Sequence, residues 1–505
     1  MVRPEPSGTH VAWVEAMTEH VVIIGGGLAG LSAGCYARAS GFKTTIVEHN
    51  LALGGVCTAW NRGSYVIDGC IQWLTGGPFA KLYAELGILP KVGLHTIDEF
   101  FRYRDVKTGV EISLSRDLDR LAHELIAISL ADADEIRRLM AAARELSTMD
   151  PGLADAPELA GVTEALSRVW DSRHAIGALI HYRSPIEDWL YVNIANESLR
   201  RFFRTLVPPG APALVMVFVL GYLGRGWLSR PNGGSGKFRD ALVATYERLG
   251  GESMIHTTVD EIVVEHGFAR GVRLADGRMV MADAVVSTSS TPETILRLLG
   301  GRYGADDLRR RMAEWKLFDP IALVSYGIAS PLEGIPSTLV FDGIAPFEVG
   351  GRLNERLHVR IFNDDPLIAP AGHTVVQALL TTDYDWWATR GSGYLAAKED
   401  LADRTLARLE EFLPRLGRSM EVADVATPLT FWSNARSWRG AYEGFLPRTD
   451  SFFGHVPKHV PDVQKLYLAG QWVEPGGGVP TAIASGRQVV QLICNDHERT
   501  FAVPS

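Results

Sequence analysis

The stretch that most constrains the fold is HVVIIGGGLAGLSAG, residues 20–34. A short β-branched run, His20 to Ile24, passes through three glycines into a segment with helical apolar spacing, which Gly41 ends. Gly25-Gly26-Gly27-Leu28-Ala29-Gly30 fits GxGxxG in the strand–turn–helix context that gives the pattern meaning. Gly25 permits the tight turn, Gly27 lets main-chain N–H groups approach a pyrophosphate, and Gly30 lets helix and strand pack closely. Leu28 and Ala29 open the helix, whose N-terminus favours negative phosphates. The next strand, KTTIVEHN, ends in Glu48, placed to accept hydrogen bonds from a ribose diol. This is a βαβ unit for a dinucleotide, and by itself it does not choose between FAD and NAD.

A second glycine-rich turn lies near the other end, in LYLAGQWVEPGGGVPTAIASG, Leu466 to Gly486. Between the two, GGSGKFRDALVATYERLGGE reads as a helix with a glycine stop. Residues 254–290 read as short strands with Gly-centred turns, and IALVSYGI, LHVRIF and TVVQALL as further strands before a helix over Gly393 to Leu413. From Gly93 to Trp227 the chain reads as helical. The expected fold class is α/β: a discontinuous Rossmann-like cofactor lobe (20–95, 230–300 and 440–505) around a mixed-sheet substrate lobe (96–135 and 301–439). Residues 136–229 are expected as a helical cap and 1–19 as a disordered leader or an over-long start, because Met17 stands directly before the first strand.

Length and composition narrow the function. The chain has 505 residues, 46% hydrophobic and 22% charged, enough for two or three lobes with their own cores. A net charge of −9 with no basic run argues against nucleic acid. Cys35, Cys57, Cys70 and Cys494 form no CxxC pair and no metal spacing, so no metal is expected and a reduced, cytoplasmic protein is the simplest reading. The N-terminus lacks a signal-peptide apolar region. APALVMVFVLGYLG, Ala211 to Gly224, is too short to span a bilayer. Its plain reading is a buried helix; its sharper ones are a surface that dips into a membrane, or a wall of an apolar tunnel.

After Glu48 come Gly54-Gly55, then Tyr65, Asp68 and Gly69. Here the chain resembles the flavoprotein superfamily of amine oxidases and phytoene desaturases, and most of all the phytoene desaturase, carotenoid isomerase and retinol saturase branch. YVIDGCIQWLTG resembles that branch's Asp-x-Gly stretch beside the flavin, and DPLIAPAGHTVV a turn of its substrate lobe. LYLAGQWVEPGGGVPTAIASGRQV resembles its C-terminal flavin motif, and WRGAYEG is similar to a loop over the flavin. The resemblance implies FAD. It puts Glu48 on the adenosine ribose, Gly54 and Gly55 by the ribityl–pyrophosphate part, and the backbone of Val259 by the adenine. It brings Gly470, Gly477, Gly478, Val479 and Pro480 to the ribityl side and the ring. Two departures stand out: Val56 where many relatives carry a basic residue, and Gln72 where some carry His.

No Ser-His-Asp set, metal cluster or acid–base pair emerges, which suits chemistry performed by a flavin. Gln72, Trp73, Tyr442 and Trp386 are the expected flavin- or substrate-facing residues, with Trp387 and Trp432 as further aromatic candidates; a packed strand end is the plain alternative for DYDWW. The expected activity is FAD-dependent desaturation, saturation or isomerisation of carbon–carbon bonds in an apolar, polyene-like substrate, with a quinone, oxygen or another electron partner. The alternatives are an amine oxidase-like enzyme releasing hydrogen peroxide, and a non-enzymatic flavin-binding scaffold.

Overall fold

The computed structural model describes residues 19–149, 155–161, 175–304, 306–452 and 454–504. The expected leader therefore lies almost wholly outside the described residues, as do residues 150–154 and 162–174 of the expected cap.

His20–Ile24 is the middle strand of a five-stranded parallel sheet. The order is Glu252–Met254, Lys43–Val47, His20–Ile24, Ala284–Ser287, Leu466–Leu468, so the sheet draws on both ends and the middle of the chain. The central strand is apolar from Val21 to Ile24 because both of its faces are covered. Val21 and Ile23 pack against the helices Leu28–Ala39, Gly234–Arg248 and Gly478–Asp496. Val22 and Ile24, on the other face, pack against the antiparallel meander Val259–Glu265, Phe268–Leu274 and Met279–Met281. Helices from opposite ends of the chain touch: a Cβ on Gly486 would stand 2.6 Å from the Ala29 carbonyl oxygen.

A seven-stranded mixed sheet forms the second layer system. Its order is Met420–Ala426, Ile321–Ile328, Thr374–Thr381, Arg352–Ile361, Thr338–Val349, Glu99–Asp105, Glu111–Ser115, antiparallel except where Thr338–Val349 meets Glu99–Asp105. Alternation assigns its faces. Tyr103 and Val340 pack under the helices Leu118–Ile128, Ala133–Leu146, Glu197–Phe203 and Ala213–Gly224. Leu339 and Phe341 face the other way, toward the helix Tyr394–Glu410. The α/β class with a discontinuous cofactor-type sheet and an inserted mixed sheet is the one expected.

The helical reading from Gly93 needs correction. Leu94–Thr96, Glu99–Asp105 and Glu111–Ser115 are strands. In EFFRYRD the buried Phe101, Tyr103 and Asp105 alternate with the exposed Arg102 and Arg104, a period of two that the charge-rich helices downstream obscure. The long amphipathic run that follows is broken into two helices at Ser129–Asp132. Buried Asp132 accepts the N–H groups of Ala195 (2.6 Å) and Asn196 (3.0 Å), tying that corner to the helix starting at Glu197.

Candidate cofactor and active site

The first glycine turn is built by close contact. Gly25 has φ +95°, and a Cβ on Gly30 would lie 2.0 Å from the Gly25 carbonyl oxygen, so only glycine lets the helix start this near the strand. Thr288 Oγ1 hydrogen-bonds the carbonyls of Ile24 and Gly25 at 2.9 and 3.0 Å and locks the turn from behind. The front is open. A Cβ on Gly27 would meet nothing nearer than Gly55 Cα at 3.9 Å, and no side chain caps the helix that begins at Leu28. The N–H groups of its first turn, at Leu28, Ala29 and Gly30, have no intrahelical acceptor and add to the positive end of the helix dipole.

Glu48 stands beside this turn, 3% exposed. Its carboxylate accepts the N–H groups of Gly26 (2.7 Å) and Asn50 (2.8 Å) and pairs with His49 Nδ1 at 2.9 Å. Burial would raise its pKa, but the hydrogen bonds from His49, Gly26 and Asn50 hold it below the ordinary value. The Glu48 carbonyl accepts the N–H of Thr257 at 2.8 Å, bringing the start of the meander to the same place. Val259 is the buried first residue of that meander, and its carbonyl accepts from Arg297 Nη2 at 3.1 Å.

The second glycine turn is made by conformation instead. Gly476, Gly477 and Gly478 have φ of +100°, +50° and +85°, a left-handed run that side chains resist. It leads into the helix Gly478–Asp496, which has no side-chain cap; Val479 and Pro480 lie in its first turn. Gly470, at φ +114°, donates its N–H to Ser485 Oγ at 2.8 Å.

A closed ring of contacts joins the two turns. Gly27 bridges to Gly54, and the Gly54 carbonyl accepts the Cys57 N–H at 3.1 Å. Cys57 faces Cys70 across the end of the hairpin Ala59–Arg62/Tyr65–Asp68, thiol to thiol. Cys70 interacts electrostatically with Tyr442 and Glu443, and the Glu443 carbonyl oxygen would be 2.1 Å from a Cβ on Gly477. Gln471 Nε2 donates to the Tyr442 carbonyl at 2.7 Å. A Cβ on Gly470 would lie 3.8 Å from Ala29 Cβ, back at the first turn. Cys70, Tyr442 and Glu443 are each partly accessible yet deep in the protein, so they line a recess.

The acid–base character of the recess has a clear physical cause. Burial pushes the Glu443 carboxyl up to about 7. The Tyr442 phenol is driven well up by burial and by neighbouring Glu443 and Cys70, and the Cys70 thiol by its hydrogen bond with Cys57 and by burial. Asp68, in the stretch expected beside the flavin, accepts the Ser235 N–H at 2.6 Å and so caps the helix Gly234–Arg248.

The other expected residues divide. Half-buried Gln72 follows Ile71, whose N–H donates to Ser235 Oγ, and its own carbonyl accepts from Arg230 Nε at 3.2 Å. Trp73 is 43% exposed and packs edge-on to Phe100. The Trp386 ring lies under Arg390, 3.7 Å away, and beside the Gly350–Gly351 turn, outside the ring of contacts. DYDWW is a short helix, Tyr384–Ala388, capped by Asp383, with Trp387 buried and bonded to Thr382. Trp432 lies under Arg436 and packs edge-on to Trp438. Sequence reasoning missed Thr288, Ser485, the Cys57–Cys70 contact and Glu443; the last was signalled by an acid set among the glycines and aromatics of WRGAYEG. A cavity of about 550 Å³ lies elsewhere, floored by Leu339 and Phe341 on the sheet face turned away from Tyr103 and Val340.

Known proteins agree with this geometry. The family model for flavin containing amine oxidoreductase matches residues 28–494. A lycopene-forming phytoene desaturase of Paracoccus sp. is 26% identical over 94% of this chain and 97% of its own. A 4,4'-diaponeurosporene oxygenase of Staphylococcus aureus is likewise 26% identical, over 94% of this chain and 98% of its own. Cyclohexylamine oxidase from Brevibacterium oxydans shares the fold, with a TM-score of 0.61 at 17% identity over 95% of this chain and 100% of that one. The cleft fits FAD on its own terms: an uncapped helix start for the phosphates, a buried acid beside it, and glycines whose missing side chains leave the front open. The chain belongs to the flavin-containing amine oxidoreductase family and is an FAD-dependent oxidoreductase.

Proposed function

We propose that the chain dehydrogenates carbon–carbon bonds of an apolar, polyene-like substrate. The carrying observation is the match to phytoene desaturase along 94% of this chain and 97% of that one, which covers the substrate-lobe sheet as well as the cofactor turns. FAD, when bound, supplies the two-electron acceptor. In this reading the N–H groups of Leu28, Ala29 and Gly30 hold the pyrophosphate and Glu48 the adenosine ribose, with Val259 by the adenine. Gly54, Gly55 and Gly470 border the ribityl chain, and Gly477, Gly478, Val479 and Pro480 bring the second helix start to the ring. Residues 20–95, 230–300 and 440–505 act as the cofactor lobe, 96–135 and 301–439 as the substrate lobe, and 136–229 as the cap. Gln72, Trp73 and Tyr442 border the substrate.

A membrane surface is the proposed source of so apolar a substrate. Among the described residues no helix is long and apolar enough to cross a membrane. Ile176, Ile180, Tyr191 and Val192 are nevertheless exposed on the consecutive helices Ile176–His181 and Ile186–Asn193, which suits shallow insertion. Co-flotation with vesicles, lost on changing Tyr191 and Val192 to Asp, checks this.

The test of function is anaerobic mixing of the FAD-loaded protein with phytoene or with an amine such as cyclohexylamine. Bleaching of the flavin absorbance by phytoene, with a more unsaturated product, is expected. Bleaching by the amine alone, with peroxide on admitting oxygen, would overturn the reading.

A further inference from the structure

Glu443 is a carboxylic acid in the recess without a committed partner among the described residues. Its main chain is fixed from three sides: by the close approach of Gly477, by the Phe318 N–H on the Gly444 carbonyl at 3.0 Å, and by Gln471 on the Tyr442 carbonyl. Among the described residues its carboxyl makes no hydrogen bond or ion pair, although it is only partly accessible. Other carboxylates of the two turns and the hairpin are engaged: Asp68 with Ser235, Glu48 with Gly26, Asn50 and His49, and Glu474 with Lys458 at 3.6 Å.

Among the described residues, the titratable groups that interact electrostatically with Glu443 are Tyr442 on its own loop and Cys70 from the hairpin, both weak acids, and no cation acts on its carboxyl. Both are driven toward their protonated forms, which leaves Glu443 as the group here that changes charge near neutral pH. A carboxylate left unmatched by the protein is complementary to positive charge that develops on a substrate, and a base poised near neutrality accepts a proton at little cost.

We propose that Glu443 is the catalytic proton acceptor of the dehydrogenation. One substrate carbon loses a hydride, which carries two electrons to FAD. The adjacent carbon loses a proton to the Glu443 carboxylate, and the electron pair of that C–H bond becomes the new double bond. Glu443, now neutral, returns the proton to solvent. This assignment rests on the desaturase reading of the site.

The test compares FAD-loaded wild type with Glu443→Gln and Glu443→Asp. In wild type without substrate, a spectral transition of the bound flavin is expected near pH 7, and it should vanish in Glu443→Gln. On anaerobic mixing with phytoene, the wild-type rate of flavin bleaching should rise with pH through the same transition. It should fall about 100-fold or more in Glu443→Gln at unchanged phytoene affinity, with Glu443→Asp in between. No wild-type transition, or full speed and an unchanged pH profile in Glu443→Gln, would overturn the proposal. Should Glu443→Gln not retain FAD, an unaltered profile in Glu443→Asp would overturn it equally. A wild-type flavin that titrates near pH 7 but no polyene bleaches points instead to failure of the desaturase reading.

Discussion

The two glycine turns reach the same cleft by different physics. At Gly25–Gly30 the glycines exist for contact, since a Cβ on Gly30 would lie 2.0 Å from main-chain oxygen. At Gly476–Gly478 three consecutive positive φ angles add conformation to contact: Gly477 also meets main chain, whereas at Gly478 no atom is nearer to a Cβ than 3.9 Å. The acids beside them differ as well. Glu48 is held down by the hydrogen bonds it accepts, whereas Glu443 is pushed up by burial with nothing to answer its charge. One turn is a rigid seat, and the other is a shaped strap packed against a loop that carries an uncompensated acid.

Substitutions probe that contrast. Gly30→Val places a branched side chain against immovable backbone and should cost more than about 3 kcal/mol, with loss of FAD, read by denaturant unfolding and flavin content. Glu443→Gln should have the opposite sign. The folded pKa of Glu443, about 7, lies above its ordinary 4.5. Its contribution to stability is therefore fully present below pH 4.5 and is lost as pH rises through about 7. The apoprotein variant should gain on the order of 2–3 kcal/mol over wild type above pH 7 and nothing in acid. Glu48→Gln should destabilise by about 1–2 kcal/mol at neutral pH, because the charge it removes is hydrogen-bonded. That loss should fade as pH falls through the lowered Glu48 pKa, beneath 4.5.

Gly477→Ala meets both a left-handed φ and the Glu443 carbonyl, and should cost about 2 kcal/mol together with FAD affinity. Gly478→Ala meets φ strain alone and should cost about 1 kcal/mol. Trp386→Ala, outside the ring of contacts, should leave FAD affinity unchanged. Equal effects of Gly477→Ala and Gly478→Ala would break the distinction between collision and strain.

What could be read from the sequence follows from range. The GxGxxG turn, Glu48 and the second helix start are local patterns, each with strand, glycine and helix within a short window. The strand Glu99–Asp105 was hidden because its alternation is brief and its neighbour on the inner side, Thr338–Val349, is far along the chain. The partner of Asp68, Ser235, could not be read locally because it is 167 residues away. Cys57 and Cys70 carry no CxxC spacing, and only the hairpin register brings their thiols together. The isolation of Glu443 is a property of what surrounds it, which a linear pattern does not contain.

The most direct test of the account is a crystal structure of the FAD-loaded protein. It should show a single FAD spanning both turns, with its phosphates at the N–H groups of Leu28 to Gly30 and its adenosine ribose on Glu48. The ring should lie by Val479, with Glu443 at the edge of the recess. An FAD whose ring lies away from the Gly476–Gly478 turn, or whose ribose does not meet Glu48, would contradict the account.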